Sequence, residues 1–331
     1  MKRATLLVGG MLLVSIVSGF LGLLVGAKPM TLDAALRAVA APNVGTDGII
    51  VWTLRFPRSI AAFLVGSGLA VSGYLLQSIT RNPLAAPDLT GATAGAVVVI
   101  VSCFVFLPGL SSVYYAPIGF VGALSASALT FWVSRGGTAS PLHLALGGVT
   151  ISLFLAGITT YVLLLGGPQS PSVMFWLSGG LQGRSWNHVL FMLPWIGIGI
   201  GGALVCSRAI QLLALGDEVA AGMGLRLGFF KAALLVLAIL PVAGATPIAG
   251  PIAFIGLAVP HVVRLLRVGG PAVTIAVNVA LGGMVLLIAD ILARTIAAPR
   301  ELPIGILTAI IGGPVFIYLA QRRSFLAGEA R

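Results

Sequence analysis

The chain has 331 residues, of which 58% are hydrophobic and only 8% are charged, and its mean hydropathy is +1.10. A water-soluble domain has about 45–50% apolar and about 25% charged residues, so this composition excludes a soluble enzyme and a disordered chain. The net charge is +11, but the basic residues are scattered singly between apolar runs. This pattern is typical of the loops of a membrane protein and not of a nucleic-acid-binding surface.

Apolar runs long enough to cross a bilayer, which takes about 20 residues, recur along the whole chain. They predict ten spans, at about residues 6–26, 59–80, 89–107, 113–134, 142–165, 189–207, 232–249, 251–263, 271–292 and 304–321. The first is too long for the core of a cleaved signal peptide, so we expect it to be retained. Pro241 is expected to interrupt the seventh span, and Trp176 and Trp186 predict a short interfacial helix within 168–187. The fold class is therefore all-α, a polytopic membrane protein in one domain, 1–331.

The basic residues predict the orientation of these spans. With ten crossings, one side of the membrane carries twelve basic residues and the other side seven. The first set is Lys2, Arg3, Arg81, Arg135, Arg208, Arg226, Lys231, Arg264, Arg267, Arg322, Arg323 and Arg331. The second set is Lys28, Arg37, Arg55, Arg58, Arg184, Arg294 and Arg300. Basic loops face the cytoplasm, so both termini are predicted to be cytoplasmic.

Catalytic and cofactor motifs are missing from the sequence. It has no Gly-x-x-x-x-Gly-Lys-Ser/Thr loop for ATP, no His-Glu-x-x-His zinc motif, and no cysteine spacing for a disulfide framework or a metal. Carboxylates are nearly absent from the spans, which disfavours a proton relay. We therefore predict a transport pathway with no catalytic residue, metal or cofactor of its own.

Asp290 is the one acid that stands out, near the end of the ninth span and four residues before Arg294. That spacing places both side chains on one helix face. Two interpretations stay open: the acid neutralises Arg294 locally, or it holds Arg294 for an external partner.

Small residues recur four apart, a spacing that lets helices approach closely in lipid. The runs are Ala62/Gly66/Ala70, Gly91/Gly95, Gly119/Ala123, Gly197/Gly201 and Gly305/Ala309/Gly313. They predict tight helix crossings.

Several long, irregular motifs resemble one family, the permease subunits of ABC importers (type II) for iron-siderophore complexes, haem and vitamin B12. The motifs are Leu54-Arg55-Phe56-Pro57-Arg58, Gly68–Gly73, Thr80–Leu89, Leu213–Asp217, Gly222-Met223-Gly224, Gly250–Leu257, Pro260-His261 with Arg264, Ala289-Asp290, Ala293-Arg294 and Glu301–Gly305. The resemblance covers residues 52–321, nearly the whole chain. It implies ten membrane helices and an inverted repeat of spans 2–5 against spans 7–10.

The resemblance also implies a complex in the bacterial inner membrane. Its members are a second permease copy or paralogue, two cytoplasmic ATP-binding cassette subunits that bind ATP and Mg, and a periplasmic substrate-binding protein. The resemblance places Arg55, Arg58 and Arg294 at the docking surface for the binding protein, with Arg184 and Arg300 as weaker candidates. Arg55 and Arg58 are three apart and are expected to share a helix face. The alternative is that these arginines anchor the helix ends to lipid headgroups.

Residues 208–228 are predicted to form a cytoplasmic coupling loop. In the family, short helices matching 212–224 dock on the ATPase; the candidate residues are Leu213, Leu215, Gly216, Asp217, Glu218, Gly222 and Gly224. Asp217 and Glu218 suit the first turn of a helix, which the two glycines can end.

Asn82 and Leu84 match the inner gate of the family. The alternative is a simple turn at Pro83 and Pro87, with Asp88 capping the third span. His261 is expected to be structural, and His188 to be an interfacial residue instead of a haem ligand.

The sequence thus predicts the permease subunit of an importer of iron(III)-siderophore-type chelates. Haem or vitamin B12 is the alternative substrate within the family, and an ion-coupled secondary transporter is the alternative from another class. The sequence leaves open which chelate is carried and whether the dimer has two identical subunits.

Overall fold

The computed structural model describes residues 2–26, 29–42, 45–134, 141–166, 170–298 and 300–314, and every regular element in these ranges is helical. The α-helices are α1 (Lys2–Leu24), α2 (Leu32–Ala40), α3 (Gly45–Ile50), α4 (Phe56–Thr80), α5 (Ala92–Phe106), α6 (Tyr115–Val133), α7 (Pro141–Leu165), α8 (Ser170–Leu177), α9 (Trp186–Val205), α10 (Ser207–Ala214), α11 (Asp217–Gly222), α12 (Leu227–Ala249), α13 (Ile255–Leu266), α14 (Pro271–Thr295) and α15 (Ile304–Pro314). A π-helical turn, Val51–Arg55, joins α3 to α4.

Each predicted span has a helical counterpart. In the described part of the chain, 7 helices are long and apolar enough to cross a membrane. The shorter apolar helices α5, α13 and α15 account for the remaining predicted spans. Residues 315–321 of the tenth predicted span lie outside the described residues, as do Lys28, Arg135, Arg322, Arg323 and Arg331. The all-α membrane fold is confirmed, and so is the short helix before the sixth span, as α8.

The expected break at Pro241 is wrong. Helix α12 continues through Pro241 and Pro247 without interruption. The ring of Pro241 lies in a notch left by two glycines, because a Cβ on Gly199 would lie 2.6 Å from its Cγ and one on Gly68 would lie 3.0 Å from its Cβ. Packing by neighbouring helices tolerates a proline in a membrane helix, where it costs backbone hydrogen bonds locally.

The irregular segment expected around the eighth span is present just before α13. Residues 250–253 have no regular structure, and Phe254 follows with φ +70°. That left-handed backbone is unusual for a residue with a bulky side chain. The twelve-residue α13 therefore starts from a fixed, non-helical entry.

Helix α4 lies at the centre of the bundle and packs against α9, α12, α13 and α14. In turn, α12 packs against α5 and α6. In an inverted repeat that pairs α4–α7 with α12–α15, α5 corresponds to α13 and α6 corresponds to α14. The contacts of α4 with α13 and α14 then correspond to the contacts of α12 with α5 and α6. The packing is thus arranged as the predicted repeat requires.

Some of the small-residue runs form very close crossings. A Cβ on Gly66 would lie 2.2 Å from the carbonyl oxygen of Gly282, and one on Gly95 would lie 2.3 Å from that of Gly122. Real Cβ atoms do not approach a carbonyl oxygen this closely, so only glycine permits these crossings. The prediction is wrong for Gly197 and Gly201, which face open space.

Charged residues gather at the two opposite ends of the bundle. We call the first group the arginine network, which consists of Arg55, Arg58, Asp290, Arg294 and Glu301. The other end carries α10 and α11 with Arg81, Lys231 and Arg264, and we call it the α11 end.

Candidate functional site

The arginine network is centred on Asp290, whose carboxylate is fully buried. Arg58 donates from Nε to Asp290 Oδ1 over 2.9 Å, and Arg294 pairs with Oδ2 of the same carboxylate. Arg58 also donates from Nη1 to Glu301 Oε2 over 2.8 Å. One carboxylate thus serves two guanidinium groups, and a second carboxylate gives Arg58 a further partner.

Three separate segments bring these groups together. Arg58 lies in the first turn of α4, and Asp290 and Arg294 lie one turn apart at the end of α14. Glu301 comes from the short connection between α14 and α15. Since α4 and α14 pack along their length, the start of the first helix meets the end of the second.

The end of α1 supplies further acceptors to the network. Arg294 Nη1 donates to the carbonyl oxygen of Gly22 over 3.3 Å, and Arg55 donates to that of Leu23. The last carbonyls of a helix lack intrahelical partners and carry partial negative charge. The two arginines therefore hold α1 against α4 and α14.

Burial of the network differs from what the resemblance led us to expect. Arg55, Arg58 and Arg294 are only 6%, 7% and 4% exposed, so their heads are turned into the chain. Glu301, with a 28% exposed side chain, lies at the rim. In this state the arginines are held internally, and their docking role stays a prediction.

The predicted pair of Asp290 with Arg294 is present, whereas the role of Arg58 and Glu301 in the same cluster was missed. Helical spacing indicates pairs within one helix, but Arg58 and Asp290 are 232 residues apart. The sequence signal that could have indicated the cluster was the recurrence of arginines and acids among the residues predicted to lie on the outer side.

The two weaker docking candidates, Arg300 and Arg184, differ in their exposure. Arg300 is exposed. Arg184 is half-buried, and burial together with the nearby charge of Arg58 lowers its pKa. His188 belongs to a capping box with Ser185 at the start of α9, so its ring has a structural role there.

At the α11 end, two short helices are joined by a glycine. Gly216 has φ +110° and separates α10 from α11, while Gly222 ends α11 and Gly224 follows with φ +86°. A backbone with positive φ favours glycine. Asp217 and Glu218 occupy the first turn of α11, as predicted.

The candidate coupling residues face in different directions. Leu213 is 1% exposed and anchors α10 to the bundle. Asp217 turns inward, 2.6 Å from Lys231 Nζ and 3.5 Å from Arg81 Nη2. In contrast, Glu218 is exposed. Leu215, Val219 and Met223, spaced four apart, form an exposed apolar stripe across α11.

The candidate gate residues lie in the turn that follows α4. Arg81 ends α4 in a left-handed conformation. Asn82 is buried, and its Oδ1 accepts a hydrogen bond from the backbone N–H of Leu84 over 2.9 Å. Leu84 itself is exposed. Asn82 therefore fixes the turn, and Leu84 is the residue free to meet another surface.

Asp88 does not cap the third span, contrary to expectation. Gly91 is the N-cap of α5, and Asp88 Oδ1 instead accepts from the hydroxyl of Thr93 over 2.9 Å. The backbone N–H of Phe254 also donates to this carboxyl, while burial raises its pKa to about 6. Asp88 thus ties the turn after α4 to the entry of α13.

His261 is 4% exposed inside α13. Among the described residues, no three His, Cys, Asp or Glu side chains lie together in a way that could hold a metal ion.

Comparison with known proteins decides the family. A model of the FecCD transport family matches residues 12–322. This chain belongs to the FecCD transport family. The Fe(3+)-citrate import system permease protein YfmD of Bacillus subtilis is 39% identical over 305 residues, 91% of this chain and 90% of that protein.

Other members of the family match over similar lengths. The ferric enterobactin transport system permease protein FepD of Escherichia coli is 35% identical, over 96% of this chain and 95% of that protein. The iron(3+)-hydroxamate import system permease protein FhuB of Bacillus subtilis is 36% identical, over 96% of this chain and 83% of that protein.

A solved structure shows the same architecture. A metal-chelate type ABC transporter in an inward-facing conformation superposes with a TM-score of 0.81 at 26% identity, covering 95% of this chain and 98% of the other. The FecCD chain described here is therefore a polytopic permease of the ABC transporter fold.

Proposed function

We propose that this chain is the membrane-spanning subunit of an ATP-driven importer of iron(III)-siderophore-type chelates in the bacterial cytoplasmic membrane. The observation that carries the proposal is the match along nearly the whole chain to permeases of iron(III) citrate, enterobactin and hydroxamate import. The chain moves its substrate without forming covalent bonds, and ATP hydrolysis in a partner drives the cycle.

In this proposal the α11 end faces the cytoplasm and the arginine network faces outward, with both termini inside. The positive-inside rule supports this orientation. The exposed stripe of Leu215, Val219 and Met223, with Glu218 beside it, is the surface that docks on an ATP-binding cassette subunit. Exposed apolar residues are typical of the core of an interface, and a charged residue beside them is typical of its rim.

Two cassette subunits and a second permease, identical or paralogous, complete the membrane complex. The substrate pathway lies between the two permeases, where small and apolar residues line it. Leu84, exposed in the turn that Asn82 fixes, contributes to the inner gate.

A periplasmic binding protein delivers the substrate to the outer end. Arg58 is the docking residue that we assign there, with Arg55 and Arg294 supporting it. Glu301 holds Arg58 Nη1 at 2.8 Å and lies at the rim, so a carboxylate of the binding protein can exchange with Glu301 on the same guanidinium. Charged rims of this kind set orientation and encounter rate more than affinity.

Uptake by cells tests the function. A strain that lacks this permease is supplied with radioactive iron as the citrate, a hydroxamate and a catecholate chelate, and in separate arms with haem and cobalamin. We expect loss of uptake for at least one iron(III) chelate and normal uptake of haem and cobalamin. Loss of haem or cobalamin uptake alone would assign the alternative substrate.

A second arm separates the proposal from an ion-coupled secondary transporter. Proteoliposomes with the full complex are loaded with ATP, and an ionophore collapses the ion gradients. Uptake that persists with ATP and stops without it supports the proposal. Uptake that follows the gradient and ignores ATP contradicts it.

A further inference from the structure

A cavity of about 560 Å³ at the α11 end has no role in the function proposed above. It lies between the end of α4, α10, the end of α13 and the start of α14. We call it the arginine pocket, after Arg81, Arg264 and Arg267 in its wall. Gln77 and Ser78 of α4 and the glycines before α14 complete the polar part of the lining.

The pocket is positively charged. No carboxylate is among its described lining residues. The acid recorded near its edge is Asp217, which already pairs with Lys231 at 2.6 Å and with Arg81 at 3.5 Å. The wall thus carries three guanidinium groups against a single shared acid.

The start of α14 adds a second source of positive potential. Helix α14 has 25 residues and begins behind Gly270, with Pro271 in its first turn and no side-chain cap. Thr274 uses its hydroxyl to donate to the carbonyl of Gly270 over 3.1 Å, so it leaves the first-turn amides uncapped. Such amides and the helix dipole favour a negative group.

A buried donor in the same wall independently indicates a missing acceptor. Gln77 is 7% exposed. Its Oε1 accepts from Arg264 Nη2 over 2.6 Å, but its Nε2 has no hydrogen-bond partner among the described residues. Because a buried polar group is normally paired, this donor is left unsatisfied in the wall that also carries the three arginines and the start of α14.

We propose that the arginine pocket binds the phosphate group of an anionic phospholipid. A phosphate offers oxygens in several directions, as donors from three helices require, and arginine pairs with it well. Ile210, Val263 and Val268 form an apolar wall beside the donors, and Leu265, which follows Arg264 in α13, is 55% exposed. A lipid satisfies both parts of this lining, whereas free phosphate satisfies the polar part alone.

The proposal rests on the proposed function only for the choice of leaflet. The orientation proposed above places the pocket in the cytoplasmic leaflet. Basic pockets between membrane helices on that side are suited to anionic headgroups. The bound lipid joins α4, α13 and the start of α14.

Lipid binding to the purified permease, without ATPase, binding protein or substrate, tests the proposal. Native mass spectrometry counts bound phosphatidylglycerol and phosphatidylcholine over a concentration series. We expect one phosphatidylglycerol to be retained per chain at concentrations where phosphatidylcholine is lost. Arg267→Gln should weaken its binding about fivefold, and Arg208→Gln, an exposed arginine outside the pocket, should leave it unchanged.

A second variant is nearly isosteric. Gln77→Glu replaces the unpaired donor by an acceptor and should weaken phosphatidylglycerol binding by at least about tenfold, since it repels the phosphate. Thermal unfolding in detergent checks that both variants are folded. The lipid measurement is independent of the proposed function. Iron uptake can fail while the lipid is bound, and lipid binding can fail while iron uptake persists.

Three outcomes overturn the proposal. Equal losses in Arg267→Gln and Arg208→Gln mean a diffuse attraction to headgroups. Competition by inorganic phosphate at similar concentration means that free phosphate is the ligand. Unchanged lipid binding in Arg267→Gln, with loss of ATPase assembly, means that an acidic side chain of the ATPase fills the pocket.

Discussion

Arg58 and Asp290, 232 residues apart in the chain, share a hydrogen bond of 2.9 Å inside the protein. This contact joins the start of α4 to the end of α14, and Arg294 reaches the same carboxylate from the other side. A fully buried acid with two arginine partners is a strong constraint on how these helices meet, because neither charge is tolerated alone.

Asp290→Asn should therefore destabilise the permease strongly. The variant leaves Arg294 buried without its carboxylate partner and Arg58 with Glu301 alone, and the loss of one partner of a buried ion pair costs about 3–5 kcal/mol. Thermal unfolding in detergent measures the effect. Asp33→Asn, in an exposed pair with Arg37, is the matched control and should leave the melting temperature unchanged. Similar melting temperatures for the two variants would contradict the structural role of Asp290.

Glu301→Gln tests the exchange that we propose at the docking surface. Without its charge, residue 301 competes less for Arg58 Nη1, so a binding protein should dock up to about fivefold more tightly. Binding to the complex in nanodiscs, at low and high salt, measures this. Arg300→Gln changes the adjacent exposed residue and should weaken docking slightly or leave it unchanged. If Glu301→Gln weakens docking, Glu301 supports the surface and does not compete with the partner.

The two acids of α11 should behave differently on charge reversal. Glu218→Lys should weaken ATPase association and leave the permease itself stable, because Glu218 is exposed. Asp217→Lys should also lower the permease melting temperature, because it opposes Lys231 and Arg81.

Val219→Asp, in the middle of the apolar stripe, should weaken ATPase association by at least about tenfold. Co-purification of the ATPase and separate melting curves of the permease measure these effects. Arg226→Gln is the control, an exposed residue on the same end. Normal ATPase association in both Glu218→Lys and Val219→Asp would remove α11 from the docking surface.

Cysteine labelling tests the orientation at two described glycines. Gly109→Cys lies in the exposed turn between α5 and α6, and Gly228→Cys in the first turn of α12; both glycines face open space. The variants are made after replacing Cys103 and Cys206. In sealed cells a membrane-impermeant thiol reagent should label Gly109→Cys and spare Gly228→Cys. The reversed pattern would invert the predicted topology.

Asp88 should make stability depend on pH. Its pKa is raised from 3.8 to about 6 by burial. Between these values the folded state keeps a proton that the unfolded chain has released, so the free energy of unfolding falls as pH rises through this window, by up to about 3 kcal/mol.

Asp88→Asn should remove this dependence between pH 4.5 and 7.5 in thermal unfolding. Thr93→Val removes a hydrogen bond that lowers the pKa of Asp88, so its dependence should extend to higher pH. Parallel curves for the parent and Asp88→Asn would mean that other groups set the pH response.

The sequence was informative wherever the signal is local. Apolar runs predicted the helices, and the first-turn acids and terminal glycines predicted α11, because each depends on neighbouring residues alone. What it could not supply are contacts between distant segments. Arg58 with Asp290, and Gln77 with Arg264, depend on how helices cross, and apolar periodicity does not encode the partner of a polar residue.

Burial was the second quantity that sequence reasoning missed. The arginines of the network were expected at the surface because they flank apolar spans, yet Arg55 and Arg294 are held against α1 and Arg58 against Asp290. Pro241 was expected to interrupt a helix, but the glycines that accommodate its ring belong to two other helices. In both cases the decisive atoms come from elsewhere in the chain.

The π-helical turn Val51–Arg55 sets the rotational phase between the outer segment and the membrane helix that follows it. An α-helix advances about 100° per residue, and a π turn holds about one residue more than an α turn. The added residue lets α3 and α4 form one continuous helix. The side chains before the turn are rotated about the helix axis relative to where an uninterrupted α-helix would place them. Arg55 can thus reach α1 while Arg58 reaches α14. Loss of one residue from this turn would rotate every upstream side chain by about a quarter of a revolution relative to the bundle and leave the helix unbroken.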